Sequence, residues 1–212
     1  MPKVKRSKST WIWETRLLLV KSAADDESLF QELGRAIGAS VKRIKETPDD
    51  EWVFGSEFET IEGRLGMAFI GCQLDITGTV SRYQKLHGLE PKLGPAPKRK
   101  DFIVRANALV SGTEVRAVAA IDGFANCFKH EDEWPDDWNI DPEKNRLAYQ
   151  TKQVVEALGA QAESASNMRT GFEKIIGHRR YERVSELAAI IRKWIGDLNS
   201  QYETELKRKN LM

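Results

Sequence analysis

Apolar residues recur along this chain at helical spacing far more often than at the alternating spacing of strands. From Phe58 the sequence places Ile61, Leu65, Phe69, Cys72, Ile76, Val80 and Tyr83 three or four residues apart, which lays one stripe along a long helix. Ser56 and Glu59 stand at capping-box spacing near its start, and Gly88 followed by Pro91 supplies its stop. Glycines 63, 66, 71 and 78 fall inside the pattern. Each costs about 1 kcal/mol of helix propensity relative to alanine, so close approach of a neighbouring helix is expected to compensate.

A second long stripe begins near Tyr181 and runs through Val184, Leu187, Ile191, Trp194, Leu198, Tyr202 and Leu206. Leu29, Leu33, Ile37, Val41 and Ile44 mark another helix, which starts after the acidic Asp25, Asp26 and Glu27 and stops at Pro48. Asp141 with Pro142 at the first helical position opens a further one through Leu147, Val154 and Leu158, ended by Gly159. A short helix is expected over residues 165–176, ended by Gly177. Residues 11–20 are ambiguous: Trp11, Trp13 and Thr15 alternate as in a strand, residues 17–20 do not, and helix is the preferred reading. Residues 102–110 are the one other stretch with strand character. No internal repeat of solenoid length is visible.

Residues 88–101, with Pro91, Pro95 and Pro97, read as an exposed, extended connector between two helical groups. The expectation is therefore an all-α protein: one helical domain over residues 1–212, built as a bundle of five or six helices, with a basic tail at 1–9.

Composition narrows the setting. The chain has 212 residues, of which 31% are charged, with 33 Lys and Arg against 32 Asp and Glu. No window approaches the uncharged apolar length of a membrane span. The apolar residues 17–20 follow Glu14 and Arg16 without a small-residue cleavage site, so no secretory leader is read there and a cytoplasmic protein is expected. Near-zero net charge argues against a uniformly basic nucleic-acid coat. Local patches remain, at Lys3, Lys5, Arg6 and Lys8, at Lys92, Lys98, Arg99 and Lys100, and at Lys207, Arg208 and Lys209. Cys72 and Cys127 fit no zinc spacing and read as buried thiols.

One segment differs in kind. Residues 111–114 have capping-box spacing, after which Val115, Val118, Ile121, Ala125 and Phe128 step around one face of a helix. Asp122, Asn126, Lys129 and His130 stand on the neighbouring face as a polar column. His130 ends the pattern, where a helix C-terminus favours its protonated form. An acidic, aromatic loop follows, from Glu131 through Trp134 to Trp138. The functional reading gives His130 acid-base work or phosphate binding with Lys129, positioned by Asn126. An ordinary solvated helix face, or a polar pair buried at a homodimer seam, accounts for the same column. A metal is not favoured, because neither His-x-x-x-His nor Glu-x-x-His accompanies the histidine. The Asp122-Gly123 dipeptide is a turn signal that would cut the column at its first member.

The run Ala125-Asn126-Cys127-Phe128-Lys129-His130 resembles the R-N-x-x-x-H type motif that small all-helical proteins of the HEPN superfamily carry on a late helix of the bundle. The Asn and His match in spacing and placement, and Ala125 stands where the family has Arg. The resemblance implies a HEPN-like bundle and a homodimer whose motif helices face each other across a cleft. It also implies one of two activities. One is metal-independent RNA cleavage, as a toxin or as an antiviral or stress-response effector. The other is a non-catalytic module that dimerises or binds a partner. Under it His130 is the proton-transfer group and Asn126 positions the substrate. Lys129, or the more distant Arg116, replaces the missing positive charge, with lysine the poorer fork for phosphate.

Asp122, Trp134 and Trp138 complete the candidate substrate surface. The tryptophans offer faces for base stacking and serve equally to anchor the loop on the bundle. No cofactor is called for: phosphate-loop, nucleophile-elbow and H-E-x-x-H motifs are absent from the sequence. His87 reads as a C-cap before Gly88, and His178 with Arg179 and Arg180 as a solvated loop or a phosphate contact. Two functions compete: a HEPN-like effector acting on RNA, and a non-catalytic dimeric bundle that binds a protein or nucleic-acid partner.

Overall fold

A long helix whose apolar residues spread beyond one stripe has to be covered by more than one neighbour, and here it is. The computed structural model describes residues 27–105 and 107–211; the readings of residues 11–20 and of the tail at 1–9 lie outside these. Seven α-helices are present among the described residues: α1 (Glu27–Glu46), α2 (Glu51–Leu89), α3 (Arg99–Ile103), α4 (Ala117–His130), α5 (Arg146–Glu156), α6 (Asn167–Ile176) and α7 (Ser185–Arg208). Short 3₁₀ turns stand at Pro91–Leu93, Glu131–Glu133 and Tyr181–Arg183. The protein is an all-α bundle, with one helix more than the upper expectation because α3 forms where the stretch read as an extended connector meets the one read as strand-like.

The 39 residues of α2 make a rod about 58 Å long at 1.5 Å per residue, and α1, α4, α6 and α7 all pack on it. Its core face is the expected stripe, with Ile61, Leu65, Phe69, Cys72, Ile76, Val80 and Tyr83 all buried. The start lies several residues before the expected one. Asp50 accepts from the Val53 amide at 3.0 Å, whereas Ser56 is already helical and its hydroxyl donates to the Val53 carbonyl. Gly66 and Gly171 earn their places by close approach. A Cβ on Gly66 would lie 2.3 Å from the Phe128 ring of α4, and one on Gly171 of α6 would lie 2.6 Å from the buried Phe124 ring. Gly63 has no such neighbour.

Two other starts move for the same kind of reason: a polar side chain elsewhere captures the backbone first. Asp141 spends its carboxylate on a turn, accepting from the Glu143 amide. Helix α5 therefore begins only after Asn145, which accepts from the Ala148 amide. Its buried stripe consequently passes through Ala148 and Val155, leaving Leu147 exposed. Residues 111–114 do not cap α4. They close a hairpin-like loop in which the Val110 amide donates to the Val115 carbonyl and Leu109 bridges Arg116. The N-terminus of α4 is capped from a distance by Asn107, whose Oδ1 accepts from the Val118 amide at 3.2 Å. Residues 181–183 form the 3₁₀ turn that precedes α7.

Helix α1 runs antiparallel to α2. Leu29 and Phe30 lie against Gly71, Arg64 donates to the Ala36 carbonyl, and Arg43 donates through Nη2 to Glu57 at 2.8 Å. Hydrogen bonds from Arg43, and then from Ser40, hold the Glu57 carboxyl down at about 2, from 4.5. The sign follows from the depression: this contribution is present above the ordinary carboxylate value and is lost as pH falls through about 2. Urea unfolding across that acid window is expected to show a smaller pH dependence in Glu57→Gln than in the unaltered chain.

Glycine substitutions separate the packed sites from the open ones. Alanine at Gly171 gains up to about 1 kcal/mol of propensity but forces the Phe124 ring aside, an overpacking cost of about 1–3 kcal/mol. Gly171→Ala should therefore lower the thermal midpoint. Gly196, on α7 with nothing within 4 Å of its Cβ position, should raise it when changed to alanine. Thermal unfolding of the two variants checks both directions.

Candidate functional site

The helix carrying the motif is continuous. Asp122-Gly123 does not turn the chain; Gly123 lies in the middle of α4, where a Cβ would come 2.8 Å from Val154 of α5. The polar column therefore forms, but its members do different things. Asp122 accepts from Arg99 Nη2 of α3 at 2.6 Å and from Gln73 Nε2 of α2 at 2.8 Å. The same Gln73 amide donates to Asn126 Oδ1 at 2.9 Å, and Arg99 Nη1 reaches the Thr77 hydroxyl at 3.2 Å. Asp122 and Asn126 thus belong to a half-buried seam joining three helices.

Lys129 and His130 stand apart from that seam. Lys129 is exposed. His130 Nδ1 is 3.0 Å from Glu133 Oε1, in a pair whose side chains are 45% and 70% exposed. Such an exposed ion pair contributes little to stability. Arg116 sits before the first residue of α4, about 20 Å along the helix from His130 at 1.5 Å per residue, and its guanidinium donates to the Asn107 carbonyl at 2.8 Å.

The loop after α4 is anchored inward. Trp134 and Trp138 are both buried and meet edge to face at 5.3 Å. They line a cleft of about 310 Å³ together with Glu131, Asp132, Asp136 and Glu163. Burial, and then neighbouring Asp132, raise the Glu131 carboxyl above its ordinary range. A cleft with this rim is electrostatically unfavourable for a phosphate backbone.

The other histidines are also committed. His87 is buried; its ring nitrogens meet the Gly94 carbonyl at 3.1 Å and the Tyr202 hydroxyl at 2.7 Å, so it ties the connector to α7 rather than capping α2. His178 lies 3.1 Å from Glu186, Arg179 pairs with Glu173 at 3.0 Å and Arg180 with Glu182 at 3.5 Å. The charge of that trio is matched within the fold. Cys72 and Cys127 are buried and share no disulfide, and burial pushes the Cys127 thiol up to about 12. Among the described residues, no group of three or more His, Cys, Asp or Glu is placed to hold a metal ion, and no helix is long and apolar enough to cross a membrane.

A larger concave feature lies elsewhere. It is an open groove of about 720 Å³ between residues 107–111, the end of α6 and α7. Leu109, Val110, Ile175, Ile176, Ile190 and Trp194 line it, with Lys174, Lys193 and Asp197 at its polar positions. Sequence spacing gave no sign of this groove, since its residues come from three distant stretches. Gln73, Arg99 and Asn107 were missed as partners for the same reason. Compared with family models, curated proteins and solved structures, the chain has no significant match.

Stability measurements distinguish the two halves of the column. Asn126→Ala, which removes one of the two side chains that accept from the Gln73 amide, is expected to cost about 1 kcal/mol. Lys129→Ala and His130→Ala should stay within about 0.5 kcal/mol of the unaltered chain. Urea midpoints for the three variants give the comparison.

Proposed function

We propose that this chain is a non-catalytic helical interaction module that binds a protein partner, and that His130 does no acid-base work in it. The observation that carries this reading is the commitment of Asn126 and Asp122 to Gln73 and Arg99. Metal-free RNA cleavage needs a base, an acid and a cation within reach of one phosphate. Here the amide is turned into an interhelical seam and the imidazole faces Glu133, beside the acidic stretch Glu131, Asp132, Glu133, Asp136 and Asp137. A HEPN-like effector acting on RNA, the competing reading, finds less support in that arrangement. The groove over α6 and α7 is the surface suited to a partner, because its volume falls in the range of ligand-binding clefts and its lining combines aliphatic and aromatic side chains with a few charged and polar ones.

Two measurements test the proposal. End-labelled single-stranded and hairpin RNA incubated with the purified chain should show no cleavage that depends on His130. Cleavage present in the unaltered chain and lost in His130→Ala would overturn the reading in favour of the effector. Selection of displayed peptides on the purified chain should yield apolar sequences whose binding is lost in Leu109→Asp and kept in His130→Ala. Retention of binding in Leu109→Asp removes the groove from the function.

A further inference from the structure

Residues 107–111 wall the groove over α6 and α7 with backbone as well as side chains. The Val110 amide donates to the Val115 carbonyl at 2.8 Å, and the Ala117 amide donates to the Ala108 carbonyl at 2.9 Å. These bonds bracket the antiparallel bridge of Leu109 with Arg116, which is therefore a pair with no hydrogen bond between its own two members. In such a pair the amide and carbonyl of Leu109 point to the opposite edge, away from residues 115–117. Neither group is hydrogen-bonded among the described residues. The wall reads Asn-Ala-Leu-Val-Ser, without the charges and prolines that guard edges against pairing with another chain, and Leu109 is 45% exposed.

The other lining residues limit what fits beside this edge. The charged ones are Lys174, Lys193 and Asp197. Lys193 donates to Asp197 at 2.7 Å, whereas Lys174 is exposed and makes no ion pair among the described residues. The lining therefore carries one positive charge with no carboxylate to meet it. A helical occupant bonds its own amides and carbonyls internally and would leave those of Leu109 to water. An extended segment satisfies both. Its side chains alternate between two faces, so every second one can enter the apolar lining formed by Ile175, Ile176, Ile190 and Trp194. A segment of about five residues matches the length of the wall, since paired strands advance together by about 3.3 Å per residue.

We infer that the groove takes an extended segment of its protein partner by strand addition, with the segment's main chain bonding the Leu109 amide and carbonyl and one of its carboxylates meeting Lys174. The inference rests on the partner-binding reading above and specifies the form and charge of the partner. Main-chain bonds supply affinity in this mode of recognition, and the side chains that reach the pocket supply selectivity. The occupant is therefore defined by alternation: apolar residues at every second position, with an acidic one between them.

Titration of the full chain with blocked pentapeptides tests it. The peptides alternate apolar and polar positions, one series carrying glutamate at a polar position and a matched series carrying lysine. The glutamate series should bind, and Leu109→Asp should abolish that binding. In the complex the Leu109 amide should exchange about tenfold more slowly than in the free chain. Methylating the peptide's backbone nitrogens one at a time should weaken binding about tenfold at one position and little at the positions beside it, because neighbouring amides point to opposite edges. Lys174→Glu should weaken the glutamate series about threefold and turn the preference toward lysine. The inference is overturned if no pentapeptide binds, if Leu109 exchange is unchanged in the complex, if methylation is tolerated everywhere, or if Lys174→Glu leaves the preference between the series unmoved. Peptides selected by display that bind through Leu109 as helices, with its amide exchanging as in the free chain, overturn only the extended form and leave the partner surface standing. Binding that survives Leu109→Asp removes the groove, and both readings fall together.

Discussion

The bundle is organised by the burial of a single helix whose apolar residues are not confined to one stripe. A 39-residue helix with aliphatic residues on several sides cannot be satisfied by one neighbour, so α1, α4, α6 and α7 each take part of its circumference. Close approach is achieved where α2 and α6 present glycine to an aromatic ring, at Gly66 under Phe128 and at Gly171 under Phe124. Polar groups complete the same contacts. Glu62 on α2 accepts from the Met168 and Arg169 amides, so one helix caps the N-terminus of another. Burial nonetheless raises the Glu62 carboxyl above its ordinary range.

Within this apolar packing Gln73 is a polar side chain buried at 8% exposure. A buried amide without partners costs about 1–3 kcal/mol, and α4 supplies them through Asp122 and Asn126. That requirement fixes which face of α4 turns inward. It also explains why Asn126 and His130, four residues apart, do not act on one ligand: the first is drawn to α2, and the second falls at the helix end beside Glu133.

The helices were legible because burial imposes a spacing that survives in the sequence. Their starts were less so, since capping depends on which of several nearby side chains reaches the backbone first. Asp50 prevails over Ser56, Asn145 over Asp141, and the distant Asn107 over residues 111–114. The candidate site shows the same division. Spacing placed Asp122 and Asn126 on a common face correctly, yet what waits opposite that face is set by residues about 23–53 positions away in sequence. No local pattern marks Gln73 or Arg99 as their partners.

The connector that reads as a spacer proves to be part of this closure. His87, itself bonded to the Tyr202 hydroxyl, holds the Gly94 carbonyl, Leu93 is buried, and the Pro97 carbonyl accepts from Gln84. The chain is thereby pinned along α2 as far as α3. Phe102 then stacks on Tyr83 at 5.8 Å, and its carbonyl accepts from the Trp194 indole of α7. With both ends of this stretch fixed, Arg99 lies over Thr77 and meets Asp122. The positive charge of Arg99 is therefore engaged by the column's own carboxylate, Asp122, and the proline-rich stretch, through its anchoring to α2 and α7, holds it there.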